Sequence, residues 1–113
     1  MSRRWFEQAM ERMRGTDVRV RDDAFDFLRE HADTCADELI AEFAADRDDH
    51  GLRCRLLELI AEARSPKALD VFRDQLDGTD ESLRFWAVRG LEMLDTREAE
   101  RVLDEARADG WVT

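Results

Sequence analysis

The chain has 113 residues, a formal net charge of −10 at pH 7 and 41% charged residues. A chain of this length forms one domain that buries its own core, and no apolar run approaches the roughly 18 residues of a membrane-spanning helix. Because no apolar stretch follows Arg3 and Arg4, and because two cysteines make no disulfide framework, we expect a cytoplasmic protein with free thiols and no membrane partner.

The charge is unevenly distributed along the chain. Residues 1–21 contain six arginines and three acids, whereas residues 22–49 contain eleven acids and two arginines. Such an acidic surface repels phosphate backbones, so we expect no nucleic-acid partner. It attracts a basic protein, although a solubilising or salt-adapted surface is an equally good interpretation.

Composition and apolar spacing both indicate an all-α protein. The chain has one proline and five glycines, and its apolar residues recur every three or four positions, which is the helical period. This pattern predicts seven short helices, at residues 3–14, 18–32, 36–46, 51–63, 66–76, 81–94 and 97–108.

One sequence pattern occurs three times. Asp17, Asp49 and Asp80 are each followed, three and four residues later, by an aliphatic residue and an arginine, and the arginines Arg21, Arg53 and Arg84 lie 32 and 31 residues apart. A fixed period of this size indicates stacked repeats. We therefore predict one domain over residues 1–113, with a capping helix at 3–14 and repeat units at about 17–47, 48–78 and 79–110.

The repeat pattern resembles the HEAT-repeat family, in particular the short bacterial HEAT-like repeats of the phycobilin-lyase type. In these repeats an Asp precedes Val-Arg, then an Ala and a Leu, and the best match here is Asp80, Leu83, Arg84, Ala87 and Leu91. The resemblance implies an α/α superhelix whose arginine-bearing helices line the concave face, with the other four helices on the convex face. It implies little about activity, because one fold supports many functions.

The repeated Asp and Arg have a structural interpretation. Each Asp is expected to cap its helix, and Thr34, Ser65 and Thr96 are expected to start the intervening helices. Each Arg is expected to bond to its own or a neighbouring Asp, which would form a structural ladder of Asp17, Arg21, Asp49, Arg53, Asp80 and Arg84. The alternative is a row of arginines that binds a partner's carboxylates.

The sequence contains little evidence for a catalytic or metal-binding site. His31 and Cys35, like His50 and Cys54, have the i, i+4 spacing of metal ligands on a helix, but the predicted helix order places the two pairs at opposite edges of the array. No Ser/His/Asp or Cys/His group is brought together by that order, and the repeated His-Glu dipeptides of the HEAT-like di-iron hydroxylases are missing. We therefore expect no catalytic residue, no metal and no cofactor.

The residues that break the repeat are the best candidates for binding. Asp22 aligns with Cys54 and Phe85, and Asp23 aligns with Arg55 and Trp86, so acids at one end are replaced by aromatic residues at the other. Either the exposed rings contact a partner, or Trp111 and Val112 fold back over them. The candidate binding residues are Asp22, Asp23, Asp26, Glu30, Arg55, Phe85, Trp86 and Arg89.

The sequence thus predicts a non-catalytic protein–protein interaction module with an acidic concave face. An inhibitor or immunity protein that masks a basic effector fits its size and charge. The alternatives are an accessory, chaperone or lyase-like protein for a prosthetic group, or a small scaffold subunit. The sequence leaves the oligomeric state open.

Overall fold

The computed structural model describes residues 4–110, which form seven α-helices, two short 3-10 helices and the turns between them. The α-helices are α1 Arg4–Met13, α2 Val18–Glu30, α3 Ala36–Ala45, α4 His50–Ala63, α5 Leu69–Leu76, α6 Glu81–Leu94 and α7 Arg97–Ala108. The 3-10 helices are Ala32–Thr34 and Pro66–Ala68. No strand occurs in residues 4–110, so the predicted all-α class is confirmed.

The three repeated aspartates cap the helices that they precede, as predicted. The side chain of Asp17 accepts from the backbone N–H groups of Arg19 and Val20, at 3.0 and 3.2 Å. Asp49 accepts from Leu52 N at 3.1 Å, and Asp80 accepts from Leu83 N at 2.9 Å. Each carboxylate satisfies an otherwise unpaired amide and interacts favourably with the positive end of the helix dipole.

The intervening helices begin in different ways. Thr96 caps α7 through Ala99 N at 3.1 Å, as predicted, and Ser65 caps a 3-10 turn that precedes α5, so the single predicted helix 66–76 is divided. The prediction for Thr34 is wrong, because its hydroxyl donates backwards to the carbonyl of His31 at 2.8 Å. That hydroxyl lies within a 3-10 turn, and α3 begins only after Cys35.

The arginine-bearing helices α2, α4 and α6 contact one another in sequence. α4 packs against both α2 and α6, while α1 packs on α2, α3 on α4, and α5 and α7 on α6. Their apolar sides form one continuous core that includes Leu28, Leu39, Leu56, Ile60, Phe72 and Leu91. Val71, whose spacing predicts a core position, packs against this core but stays partly exposed.

The ring of Phe72 in α5 packs directly against α6 at a single residue. Gly90 is in the middle of α6, and the buried ring of Phe72 from α5 lies directly over it. A Cβ atom at position 90 would lie 2.3 Å from Phe72 Cζ, well inside van der Waals contact. The absence of a side chain at Gly90 therefore makes room for this ring.

Two helices end at residues with left-handed backbone conformation. Arg64 follows α4 and Asp95 follows α6, each with φ of 51°. The two residues are 31 positions apart, so they are equivalent in the repeat. Glycine usually occupies this conformation, because residues with a Cβ atom are strained in it.

Candidate binding face

The exposed side of α2, α4 and α6 carries all eight residues that the sequence nominates for binding, and we call it the repeat face. On α2, Asp22, Asp23, Asp26 and Glu30 are exposed. On α4, Arg55 is half-buried, and on α6 Phe85 and Arg89 are exposed while Trp86 is half-buried. Because α4 lies between α2 and α6, the acids and the aromatic pair do not meet but occupy the two ends of this face.

Within the acidic segment 22–49, the acids of α2 are less neutralised than Asp37, Glu42 and Asp46 in and after α3. Further along that segment, Glu42 and Asp46 both pair with Arg14, at 2.5 and 2.6 Å, and Asp37 pairs with Lys67 at 3.1 Å. On α2, Asp26 has only a long contact of 3.8 Å with Arg29. Asp22, Asp23 and Glu30 form no ion pair within residues 4–110. Their negative charge therefore faces solvent.

The centre of the repeat face contains a residue that the sequence reading missed. Glu58 on α4 aligns with Asp26 and Arg89, and this alignment was the signal that could have identified it. Partial burial raises the pKa of Glu58, and nearby Glu62 adds to the effect, while Arg29 and Arg55 oppose it.

Phe85 and Trp86 form an aromatic pair at the α6 end of the face. Their rings meet edge to face, with centroids 5.1 Å apart and an interplanar angle of 83°. Phe85 is 56% exposed, whereas Trp86 packs partly against the core. Trp111 and Val112, the predicted caps for these rings, lie outside the described residues.

The predicted Asp–Arg ladder does not form within residues 4–110. Arg53 bonds instead to the C-terminal end of α3, donating to the carbonyls of Phe43 and Asp46 at 2.8 and 2.6 Å, and its guanidinium lies 4.0 Å from the centroid of the Phe43 ring. Arg21 and Arg84 make no ion pair in the described residues, and Arg21 Nε is buried without a hydrogen bond. The physical reason is that each Asp accepts from backbone amides of its own helix, and the second carboxylate oxygen of Asp80 lies beside His50 and not beside an arginine.

One contact does join neighbouring repeats through a repeated Asp. His50 Nε2 lies 2.7 Å from Asp80 Oδ2 and 3.6 Å from Cys54 Sγ. The bond from Leu83 N, followed by the nearby His50, lowers the pKa of the Asp80 carboxyl. Burial raises the pKa of the Cys54 thiol, and Asp80 raises it further, which disfavours the reactive thiolate.

This His50 cluster lacks the geometry of a catalytic triad. In a triad the acid and the nucleophile use different ring nitrogens of the histidine, but here Cys54 and Asp80 both approach Nε2. Across residues 4–110, no three His, Cys, Asp or Glu side chains are arranged to hold a metal ion. Cys35 and Cys54 are both free thiols. The arrangement positions the first turns of α4 and α6 relative to each other.

Comparisons with known proteins add no relatives. No family model matches the chain, no curated protein matches it, and no solved structure matches it. Among the described helices, none combines the length and apolar character that crossing a bilayer requires. The interpretation of the repeat face therefore depends on its own residues.

Proposed function

We propose that this protein is a non-catalytic interaction module of the HEAT-like type, which binds a basic protein on the repeat face. The three repeats and the successive contacts from α2 to α4 to α6 support an α/α superhelical arrangement. In such an array the arginine-bearing helices line one side, and that side presents a continuous surface to a partner.

The observation that carries this proposal is the polarity of the repeat face. Its α2 end has exposed carboxylates without ion pairs in residues 4–110, and its α6 end has a partly exposed aromatic pair. Exposed charges mainly accelerate association with an oppositely charged partner. Aromatic side chains, by contrast, tend to supply much of the binding energy that slows dissociation.

The most specific form of the proposal is an inhibitor or immunity protein that masks a basic effector in the bacterial cytoplasm. The carboxylates would cover cationic residues that the effector uses on its own target. Affinity for such a partner would depend on salt, because exposed charges are screened over about 8 Å at physiological ionic strength.

The test is binding kinetics on the partner that a pull-down from the native host returns, measured at low and physiological salt. Reversing the charge of Asp22, Asp23 and Asp26 to Lys should slow association by about tenfold at low salt. Phe85→Ala should speed dissociation by a similar factor, about tenfold. Phe85 is preferred to Trp86 because Trp86 also contacts the core.

A matched control separates the repeat face from net charge alone. Reversing Glu98, Glu100 and Glu105 on α7 makes the same change in net charge on exposed residues elsewhere. If both triple variants slow association equally, or if association ignores salt while Phe85→Ala dissociates normally, the proposed face is wrong.

A further inference from the structure

A groove of about 460 Å³ lies between α1 and α2, and we call it the end groove. Trp5, Ala9 and Arg12 line it on α1, and Val20, Ala24 and Phe27 line it on α2. Val20 is 40% exposed and Phe27 is 39% exposed. Trp5 meets Phe27 edge to face at 5.7 Å, and Phe27 lies 4.5 Å from the His31 ring, so the aromatic wall is fixed by its own contacts.

The exposed residues of the end groove occupy repeat positions that are buried elsewhere. Val20 aligns with Leu52 and Leu83, which are 6% and 7% exposed. Phe27 aligns with Leu59, which is fully buried. The exposed apolar side of α2 therefore corresponds to a side of α4 and of α6 that is buried in the structure.

Helix contacts give the reason for this difference. α4 is contacted by α2 as well as by α3, and α6 is contacted by α4 as well as by α5. By comparison, α2 packs against α1 and α4, and among the α-helices of residues 4–110 no third helix packs substantially against it. The end groove is thus the continuation of the interface that joins α2, α4 and α6.

The rims of the end groove differ in charge. Arg12 is exposed on the α1 rim, and Arg4 lies two helical turns earlier on the same side of α1, whereas Asp23 is exposed on the α2 rim. A second copy of the chain carries the same net charge of −10 over its whole length, and like-charge repulsion between the two molecules opposes such an association.

We propose that the end groove binds an amphipathic helix of a partner protein, which lies beside α2 as α2 lies beside α4. Its apolar ridge contacts Trp5, Val20 and Phe27, its acidic flank faces Arg12, and its basic flank faces Asp23. Helix-in-groove recognition of this kind uses apolar anchors spaced three and four residues apart. The proposal depends on the α2–α4 contact, and the end groove shares Asp23 with the repeat face.

The probe is a stapled helical peptide of 14 residues, the length of α4, with a leucine ridge, glutamates on one flank and lysines on the other. A control peptide of identical composition has glutamates and lysines alternating along both flanks, so that neither direction of binding matches the rims. By calorimetry, the first peptide should bind about tenfold more tightly than the control, because its charges match both rims. The double variant Arg12→Ala, Asp23→Ala should abolish this preference.

Variants of exposed residues locate the binding. Phe27→Asp should weaken binding of the matched peptide by about tenfold or more. Phe85→Asp, at an exposed aromatic on α6, should change it by less than about twofold. A partner of the repeat face should bind Phe27→Asp normally, so the two proposals fail independently.

Three results would overturn the proposal. The first is equal affinity for the two peptides, and the second is unchanged affinity in Phe27→Asp. The third is a stable dimer of the free protein in sedimentation that Phe27→Asp dissociates, since a second copy would then occupy the groove.

Discussion

The side chain of Arg53, on α4, bonds to the preceding helix α3, a contact that the sequence alone does not predict. Its guanidinium donates to the last carbonyls of α3 and lies over the Phe43 ring. The C-terminal end of a helix carries unpaired carbonyls and a partial negative charge, so a cation is favourable there. Arg53 therefore joins the end of α3 to the first turns of α4.

Arg53→Ala should lower the free energy of unfolding by about 1–2 kcal/mol, because hydrogen bonds from a charged donor and a cation–π contact are lost together. Urea denaturation followed by circular dichroism gives this value. The matched control is Arg84→Ala, which removes a repeat-equivalent arginine that makes no ion pair in residues 4–110. An equal loss in the two variants would contradict the role assigned to the α3 carbonyls.

Asp80 makes stability depend on pH. The Leu83 amide, and then His50, lower the pKa of the Asp80 carboxyl in the folded protein. The ionised carboxylate therefore contributes stability at pH values above the ordinary pKa of 3.8. This contribution is lost as the pH falls through the lower pKa of the folded state. Asp80→Asn retains a capping side chain but removes the charge. The stability difference between wild type and Asp80→Asn should shrink between about pH 5 and pH 2.

The same pH series with Asp70→Asn provides the control, because the Asp70 side chain is 83% exposed and, within residues 4–110, pairs only with Arg73 on its own helix. A difference between wild type and Asp80→Asn that stays constant with pH would show that the Asp80 charge is not involved.

Residue positions were predictable here, but bonding partners were not. The Asp caps follow from local sequence, since a cap bonds to amides two or three residues away. The partner of Arg53 does not, because a long side chain selects among acceptors that only the packed α3 and α4 bring within reach. The contact between His50 and Asp80 was missed for the same reason.

At the scale of elements, the ring of Phe72 in α5 packs tightly over Gly90 in α6. The sequence reading placed α6 continuously across Gly90 and gave no reason for a glycine inside a helix. Glycine is disfavoured there by roughly 1 kcal/mol relative to alanine. The position of the Phe72 ring supplies the reason, and it could not be known before α5 was placed on α6.

Gly90→Ala should therefore destabilise the protein by about 1–3 kcal/mol, since the added methyl group overlaps a buried ring and outweighs the better helix propensity. Gly51→Ala is the control, because a Cβ atom at position 51 would have an ordinary contact of 3.7 Å with Asp49 Oδ1. Thermal unfolding should show a lower midpoint for Gly90→Ala than for the wild type. The midpoint of Gly51→Ala should not be lowered. Stabilisation by Gly90→Ala would mean that Phe72 moves aside freely.

At the scale of the whole molecule, one core extends from Phe6 in α1 to Ala106 in α7. Single domains of this size with a continuous core usually unfold in one cooperative step. Trp5 at the α1 end and Trp86 on α6 report on opposite parts of that core.

Leu56→Ala should cost about 2–5 kcal/mol, because Leu56 is fully buried in the central helix α4. In Trp5→Phe and Trp86→Phe backgrounds that both also carry Trp111→Phe, the fluorescence of the one remaining tryptophan and the circular dichroism should shift to lower urea by the same amount. A loss below about 0.5 kcal/mol would contradict the core assignment. Separate transitions at the two ends would contradict a single cooperative core.

The helices and their order were thus accessible from the sequence, because apolar spacing and caps are local signals. The repeat face was accessible in part, since repeat alignment places Asp22, Cys54 and Phe85 at one position on successive helices. The end groove was not, because Val20 and Phe27 have the residue types of core positions, and their exposure depends on which helices pack beside α2.

Arg64 and Asp95 have a consequence for how this chain tolerates change. Each takes a left-handed backbone conformation that favours glycine by about 1 kcal/mol, and effects at distant sites usually add. Glycine at both positions should therefore give the protein a margin of about 2 kcal/mol over its present stability. With this added stability, the chain could still fold after destabilising substitutions on an exposed surface. Stabilising these two helix ends would therefore allow surface residues elsewhere to change towards a new binding specificity.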